Sequence, residues 1–283
     1  MAFASTLPPG CLVVDENNWR QYAKVNAGSD EEGRPVSESG YIERDYASVP
    51  LCSGYAARKF PKELLLSDED CREIIEEREK RGARLIDRCE KSGIFTLDQS
   101  PSWYCWCYST VHGVMAQGIA QNEEPRTLCP ESVAGPIMNY RKKGGWCSKA
   151  LAYIADPEKG VADTIAWPWE SHKQANNSKY FEPSRANARL TIVPEWWDIE
   201  NWEEKKSALA RGHACPSCYN YEGHATCSTE LIWRDGQFGV IDIDSYYERN
   251  GKRFHARARM GSRAHSQDTV AIRRVSANML GAA

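Results

Sequence analysis

Residues 99–109, QSPSWYCWCYS, set two cysteines one position apart among Trp103, Tyr104, Trp106 and Tyr108. An aromatic core with buried thiols, a metal clip and an activated thiol all fit that local pattern. A cysteine is a useful nucleophile only as a thiolate, and a helix amino terminus and a nearby imidazolium both lower its pKa. Cys107, Val111, Val114, Met115, Gly118 and Ile119 recur at helical spacing, which predicts a helix that begins close to Cys105 and buries that stripe. Cys105 then stands at the helix start as the candidate nucleophile, and Cys107 faces the core beside Val111.

The imidazole has to come from one of six histidines: His112, His172, His213, His224, His255 or His265. His112 shares the predicted helix and points away from its start. His224 lies in YEGHATCSTELIW, where a glycine opens a β run, and a second β run ends in Ile243-Asp244-Ser245-Tyr246. A histidine at the head of one strand and an acid at the tail of its neighbour can meet across a hairpin, completing a nucleophile, a base and an orienting group on two lobes facing one cleft.

A metal reading attaches to Cys215-Pro-Ser-Cys218, with His213, His224 and Cys227 nearby. The stretch reads as extended, however, and residues three apart on a strand point to opposite faces. No second CxxC completes a tetrahedron, so no metal is expected.

These segments together carry a resemblance. Gln99, then Cys105-Trp106, then an aromatic residue and a serine at 108 and 109, resemble the active-site segment of papain-like cysteine peptidases. LCPESVAGPIMNYRKKGGW resembles the stretch leading to that family's Gly-Gly substrate-binding wall, GHA at 223–225 its histidine segment, and Ile243-Asp244-Ser245-Tyr246 stands where the family has Asn-Ser-Trp. The order of segments from about 45 to 275 is most similar to the forms encoded by bacteria and bacteriophages, which lack a secretory signal.

The resemblance implies Cys105 as nucleophile, His224 as general base and acid, Asp244 as the group orienting His224, and Gln99 as an oxyanion donor alongside the backbone N–H of Cys105. It further implies that Gly144 and Gly145 present backbone to an extended peptide, that Trp146 walls a side-chain pocket, and that Trp103 narrows the cleft. Three departures accompany it: Asp at 244 for the family's Asn, Tyr246 for its shielding Trp, and Trp103 for a small residue. Ser102 stands where secreted relatives carry a disulfide cysteine. The implied activity is an endopeptidase working through a thioester acyl-enzyme without a cofactor. A papain-fold binding or virion structural protein and another thiol acyl transfer, such as an amidase or transglutaminase, are the alternatives.

The elements that must position these groups divide the chain. Residues 1–60, rich in Gly, Pro, Ser and acids, read as an extended arm. Residues 61–168 read as a helical lobe: SDEDCREIIEEREKRGARLIDRCEK is helical from Ser67 with an interruption at Gly82, and helices are also expected at Glu131–Tyr140 and Cys147–Ala155. Residues 169–283 read as a β lobe, barrel-like and antiparallel. Strands are expected there at Leu190–Val193, Thr229–Trp233, Phe238–Asp244, Phe254–Arg259 and Thr269–Val275, with turns at Asp235-Gly236 and Asn250-Gly251. WWDIENW is read as anchoring the loop between the lobes, with a cleft lined by Trp196, Trp197 and Trp202 as the alternative. Helices first and strands second predict a two-lobed α+β protein.

Composition sets the outer bounds. Over 283 residues, 41% are hydrophobic and 27% charged, with a net charge of −3, which points away from disorder and from a nucleic-acid polycation. The amino terminus lacks a basic n-region and a long apolar run, so neither a signal peptide nor a membrane span is expected. Eleven cysteines would leave one over from a disulfide framework, and reduced thiols in a cytoplasm are the expectation. A polypeptide substrate is the expected partner, with a virion or host protein as a further one.

Overall fold

The computed structural model describes residues 3–22, 26–29, 35–37, 59–93, 97–99, 102–141, 143–165, 167, 190–245 and 256–278. Tyr246, His172, His255 and the Asn250-Gly251 turn lie outside these residues, as does the expected lobe boundary at 168/169.

Helix α1, Asp68–Lys80, starts where a capping box predicts it: the Ser67 hydroxyl accepts from Asp70 N (3.1 Å) and the Asp70 carboxylate accepts from Ser67 N (3.2 Å). Gly82, at φ +58°, breaks the run, and α2 follows over Leu85–Ser92. Glu230, buried on the sheet, accepts from the amides of Leu85 and Ile86 and pairs with Arg78 at 2.9 Å, so an acidic side chain caps the amino end of α2. α3 spans Cys105–Ala120, α4 Glu131–Ile137 and α5 Cys147–Ala155. α4 stops short of the expected Tyr140 because Pro136 removes an amide donor and Asn139 and Tyr140 take positive φ.

The strands are β1 (Leu12–Val14), β2 (Asn26–Ser29), β3 (Pro35–Ser37), β4 (Val161–Ala162), β5 (Leu190–Ile199), β6 (Cys215–Tyr219), β7 (His224–Arg234), β8 (Gln237–Ile243), β9 (Ala256–Met260) and β10 (Thr269–Asn278). Eight of them form one mixed sheet in the order β1-β9-β8-β7-β6-β10-β5-β4, and β2 pairs with β3 apart from it. β1 joins parallel to β9, Leu12 opposite Arg257, so the first residues of the chain close one edge of the sheet. The β7–β8 hairpin turns through Asp235-Gly236, both at positive φ, with Arg234 opposite Gln237.

WWDIENW corrects the reading as a loop. Trp196 and Trp197 belong to β5, and Trp202 opens a further helix, α6 (Trp202–Ala210), whose Asn201 N-cap accepts from Glu204 N at 3.0 Å. The aromatic run had masked a β alternation and an Asn-x-x-Glu helix start.

Two apolar clusters lie against this framework. One gathers α2 to α5 with Cys218, Cys227, Ile241 and Ile272; the other gathers α1 and α6 with Cys215, Leu231, Val240 and Ala271. Cys215 and Cys218 thus feed different cores, as the alternation of a strand requires. Among the described residues no helix is long and apolar enough to cross a membrane.

Candidate active site

Cys105 is the first residue of α3, where a helix carries its partial positive charge. Three contacts give the register of α3 on the sheet. Ser109 Oγ donates to the Thr226 carbonyl (2.7 Å). One turn on, a Cβ at Gly113 would lie 2.7 Å from Pro216 Cγ, and Pro216 is paired with Cys227. One turn further, Gln117 Oε1 accepts from Ala214 N (3.0 Å), next to the Cys215–Ser228 pair. The helix therefore advances along β7 in that strand's own direction. One turn back from Ser109 is Cys105, on the same helix face, and two residues back from Thr226 is His224, on the same strand face. The register carries the thiol to the imidazole end of β7.

His224 opens β7 and Asp244 follows the last residue of β8. His224 Nε2 lies 2.7 Å from Asp244 Oδ1, so Nε2 is the ring nitrogen that faces the carboxylate. Gln99 is tied to the same place twice: its N–H donates to the Ser245 carbonyl (3.1 Å), and the Ser245 hydroxyl donates to Gln99 Oε1 (2.6 Å). The second bond fixes the amide so that Nε2 is its donor end. Ser102 N–H donates to the Gln99 carbonyl at 2.6 Å, which ties Gln99 to a residue three positions before the first of α3. Cys105, Gln99, His224 and Asp244 are all buried.

Gly145 shows why glycine precedes Trp146. A Cβ there would stand 2.7 Å from Trp106 Cε2 and 2.8 Å from Met138 Cε, so the backbone of this segment rests directly on the ring beside Cys105. Gly144 is buried with it, and Trp146, half-buried, caps α5. Trp103 is half-buried and its carbonyl accepts from Trp106 Nε1 at 3.2 Å.

Other thiols near the site are held protonated. Burial pushes Cys107 and Cys218 well above the ordinary thiol value. Cys147 Sγ and Cys218 Sγ are 3.5 Å apart, and the Cys218 thiol donates to Asp268 Oδ2 (3.7 Å), the oxygen that also accepts from Ser148 N (3.3 Å). Among the described residues Cys147, Cys218 and Asp268 are a group of donors spaced closely enough to hold a metal ion, and these bonds link them at the amino end of α5. His112 is buried too, and burial takes its pKa down to about 4, against the pull of Asp244.

Sequence reasoning missed the far side of Asp244. Asp244 Oδ2 forms an ion pair with Arg257 Nη2 at 2.7 Å. Arg257 also bonds Glu222, which pairs in turn with Arg259, and Arg259 Nε reaches Asp242 Oδ2 at 2.5 Å. The available signal was ARARM, with arginines at alternate positions, beside Asp242 and Asp244 also two apart.

No protein-family model and no curated protein matches the chain. Solved structures do. The clostridial cysteine protease Cwp84, after propeptide cleavage, aligns with a TM-score of 0.53 at 12% identity, over 64% of this chain and 55% of its own. A procathepsin B from Trypanosoma congolense aligns with a TM-score of 0.52 at 12% identity, over 80% of this chain and 82% of its own. This chain therefore spans about half of the Cwp84 chain. At such identity the likeness is one of fold, and the fold is the two-lobed α+β architecture of papain-like cysteine proteases.

Proposed function

We propose that this protein is a cysteine endopeptidase with Cys105 as nucleophile and a polypeptide as substrate. The observation that carries the reading is the buried 2.7 Å contact between His224 Nε2 and Asp244 Oδ1, at the strand end to which α3 brings its first residue. The Cys105 thiolate attacks the scissile carbonyl carbon, and the oxyanion is received by Gln99 Nε2 and the Cys105 N–H. The His224 imidazolium gives its proton to the leaving amine as the C–N bond breaks, leaving a thioester. Water, deprotonated on the same imidazole, then attacks the thioester, releasing the acid and restoring the thiol pair. Gly144 and Gly145 offer backbone to the extended substrate, and Trp146 and Trp103 bound its side-chain space.

Selective alkylation tests this. Cys11 is the more exposed thiol among the described residues, but burial of its sulfur pushes its pKa up to about 12, whereas Cys105 is buried but placed for activation. Iodoacetamide or a peptidyl epoxide at pH 6–7, followed by peptide mass mapping, should modify Cys105 first. Cys105→Ala should lose about 10⁴-fold or more in kcat/KM on an unstructured peptide. Labelling of Cys11 ahead of Cys105, or turnover by Cys105→Ala at the wild-type rate, overturns the assignment.

A further inference from the structure

A charged ladder crosses the strands behind the His224–Asp244 pair. Asp242 stands opposite Arg257 in the β8–β9 register, and residues two apart on each strand share a face. Glu222, Asp242 and Asp244 supply the acids, and Arg257 and Arg259 the guanidinium groups, all buried. Asp244 is the end of the ladder, with one oxygen on His224 Nε2 and the other on Arg257 Nη2, each at 2.7 Å.

We infer that Arg257 is a positioning residue: it clamps Asp244 against His224 and offsets its charge, so that the Asp244–Arg257 pair orients the imidazole as a neutral amide would. This rests on the peptidase reading for its chemistry. It explains how an aspartate serves where the resemblance leads one to expect asparagine. A lone carboxylate at 2.7 Å would favour the imidazolium strongly, whereas a carboxylate shared with a guanidinium favours it far less.

The other groups around the pair fit. Burial alone pulls Arg257 down, but Asp244 and Glu222 more than reverse it and its pKa lies above the usual guanidinium value. Burial pushes Glu222 up, and Arg259, Arg257 and His224 outweigh it, leaving the carboxyl below its usual range. Asp242 is likewise lowered, burial being overcome by Arg259 and Lys205. Tyr22 lies beneath Arg257, 5.8 Å from ring centre to guanidinium carbon. His112, taken down to about 4 by burial, is neutral from about pH 5 upward. Lys205, lowered by burial to about 8, bonds the Tyr219 hydroxyl at 2.9 Å and faces Asp242, not His224; Tyr219 and Tyr221 are both raised by burial.

The test follows the His224 imidazole by NMR from pH 4 to 10, with kcat/KM against pH on one peptide. Arg257→Gln should raise the His224 midpoint by about one pH unit, because Asp244 is left unshielded. Asp244→Asn should lower it, because the carboxylate beside the imidazole is lost while the Arg257 charge stays, and Asp244→Asn/Arg257→Gln should return it to within about 0.3 of wild type, non-additively. Arg257→Lys keeps the charge and should hold the midpoint while losing kcat through the weaker clamp. An Arg257→Gln midpoint equal to wild type overturns the inference. If that variant does not fold, the Asp244→Asn and double-variant midpoints decide, and their equality overturns it. NMR needs no turnover, so the two readings separate. Shifts as described without hydrolysis or Cys105 labelling support the charge compensation and overturn the peptidase; hydrolysis with unmoved midpoints overturns only the role of Arg257.

Discussion

Along α3, fourteen of sixteen residues are buried and none is Asp, Glu, Lys or Arg, whereas the facing strands β7 to β9 bury Asp242, Arg257 and Arg259 beside His224. The two flanks of one candidate site are thus held by different physics. The helix places Cys105 by shape, through Gly113 on Pro216 and Val111 and Val114 in the core. The strands place His224 by charge, through ion pairs that succeed only when every member is present. Shape does not depend on pH and tolerates little added volume. A charge ladder tolerates volume better but not the loss of a partner.

The largest expected effect separates the flanks by pH. Asp242 accepts from Thr226 Oγ1 (2.8 Å), Ser228 Oγ (2.6 Å) and Arg259 Nε (2.5 Å). Asp242→Asn leaves Arg259 with Glu222 as its remaining carboxylate and should cost about 3–5 kcal/mol at pH 7. The Asp242 carboxyl is held below its usual range, so its stabilisation is present above the unfolded value near pH 4 and fades as pH falls through the lower folded value. Urea unfolding at pH 7 and at pH 3 should therefore show a cost that shrinks with acid. A cost equal at both would break the contrast, because Asp242 would then be acting by shape.

The helical flank should behave the other way. A Cβ at Gly113 would meet Pro216 Cγ at 2.7 Å and Ile272 Cδ1 at 3.0 Å, while at Gly118 the nearest atom is Val275 Cγ2 at 3.7 Å. Both changes to alanine gain helix propensity, about 1 kcal/mol. Gly113→Ala should still lose about 1–3 kcal/mol through overpacking, and Gly118→Ala should gain up to about 1 kcal/mol. The measurement is the same urea series, with both values flat in pH. Equal effects at the two glycines would mean that α3 does not lie against β6 as closely as described.

What could be read from the chain divides along the same line. The shape-held flank was legible: a 3.6-residue stripe from Cys107 to Ile119 marks α3 from its first residue, and Cys147–Ala155 is helical at the expected bounds. His224 and Asp244 were legible as the head of one β run and the tail of the next, and the 2.7 Å contact shows them together; Gln99 was legible only by resemblance. The ladder was not legible. Arginine at alternate strand positions ordinarily faces water, and only the pairing of β9 with β8 reveals that Asp242 lies opposite Arg257. Periodicity reports which face is buried, and buried ion pairs invert that signal because their partners come from other strands.

The smallest expected effect is at Cys107, two positions from the proposed nucleophile. Its thiol is fully buried and donates to the Pro130 carbonyl at 3.3 Å. Burial, helped by Glu131, pushes its pKa well above the ordinary thiol value, so it carries no charge between pH 5 and 9. Cys107→Ala removes a small apolar contact and one weak hydrogen bond, a loss of about 1–2 kcal/mol. Cys107→Ser keeps a donor for Pro130 but exchanges a polarizable sulfur for a hydroxyl in an apolar core, and should cost about as much. Neither should change kcat/KM or its pH limbs, and the stability loss should be the same at pH 5, 7 and 9. A stability difference that grows as pH rises toward 9 would show that Cys107 ionises in the folded state. A loss of turnover in both variants at full folding would place Cys107 among the reacting groups, and the division of α3 into one thiol for chemistry and one for packing would fail.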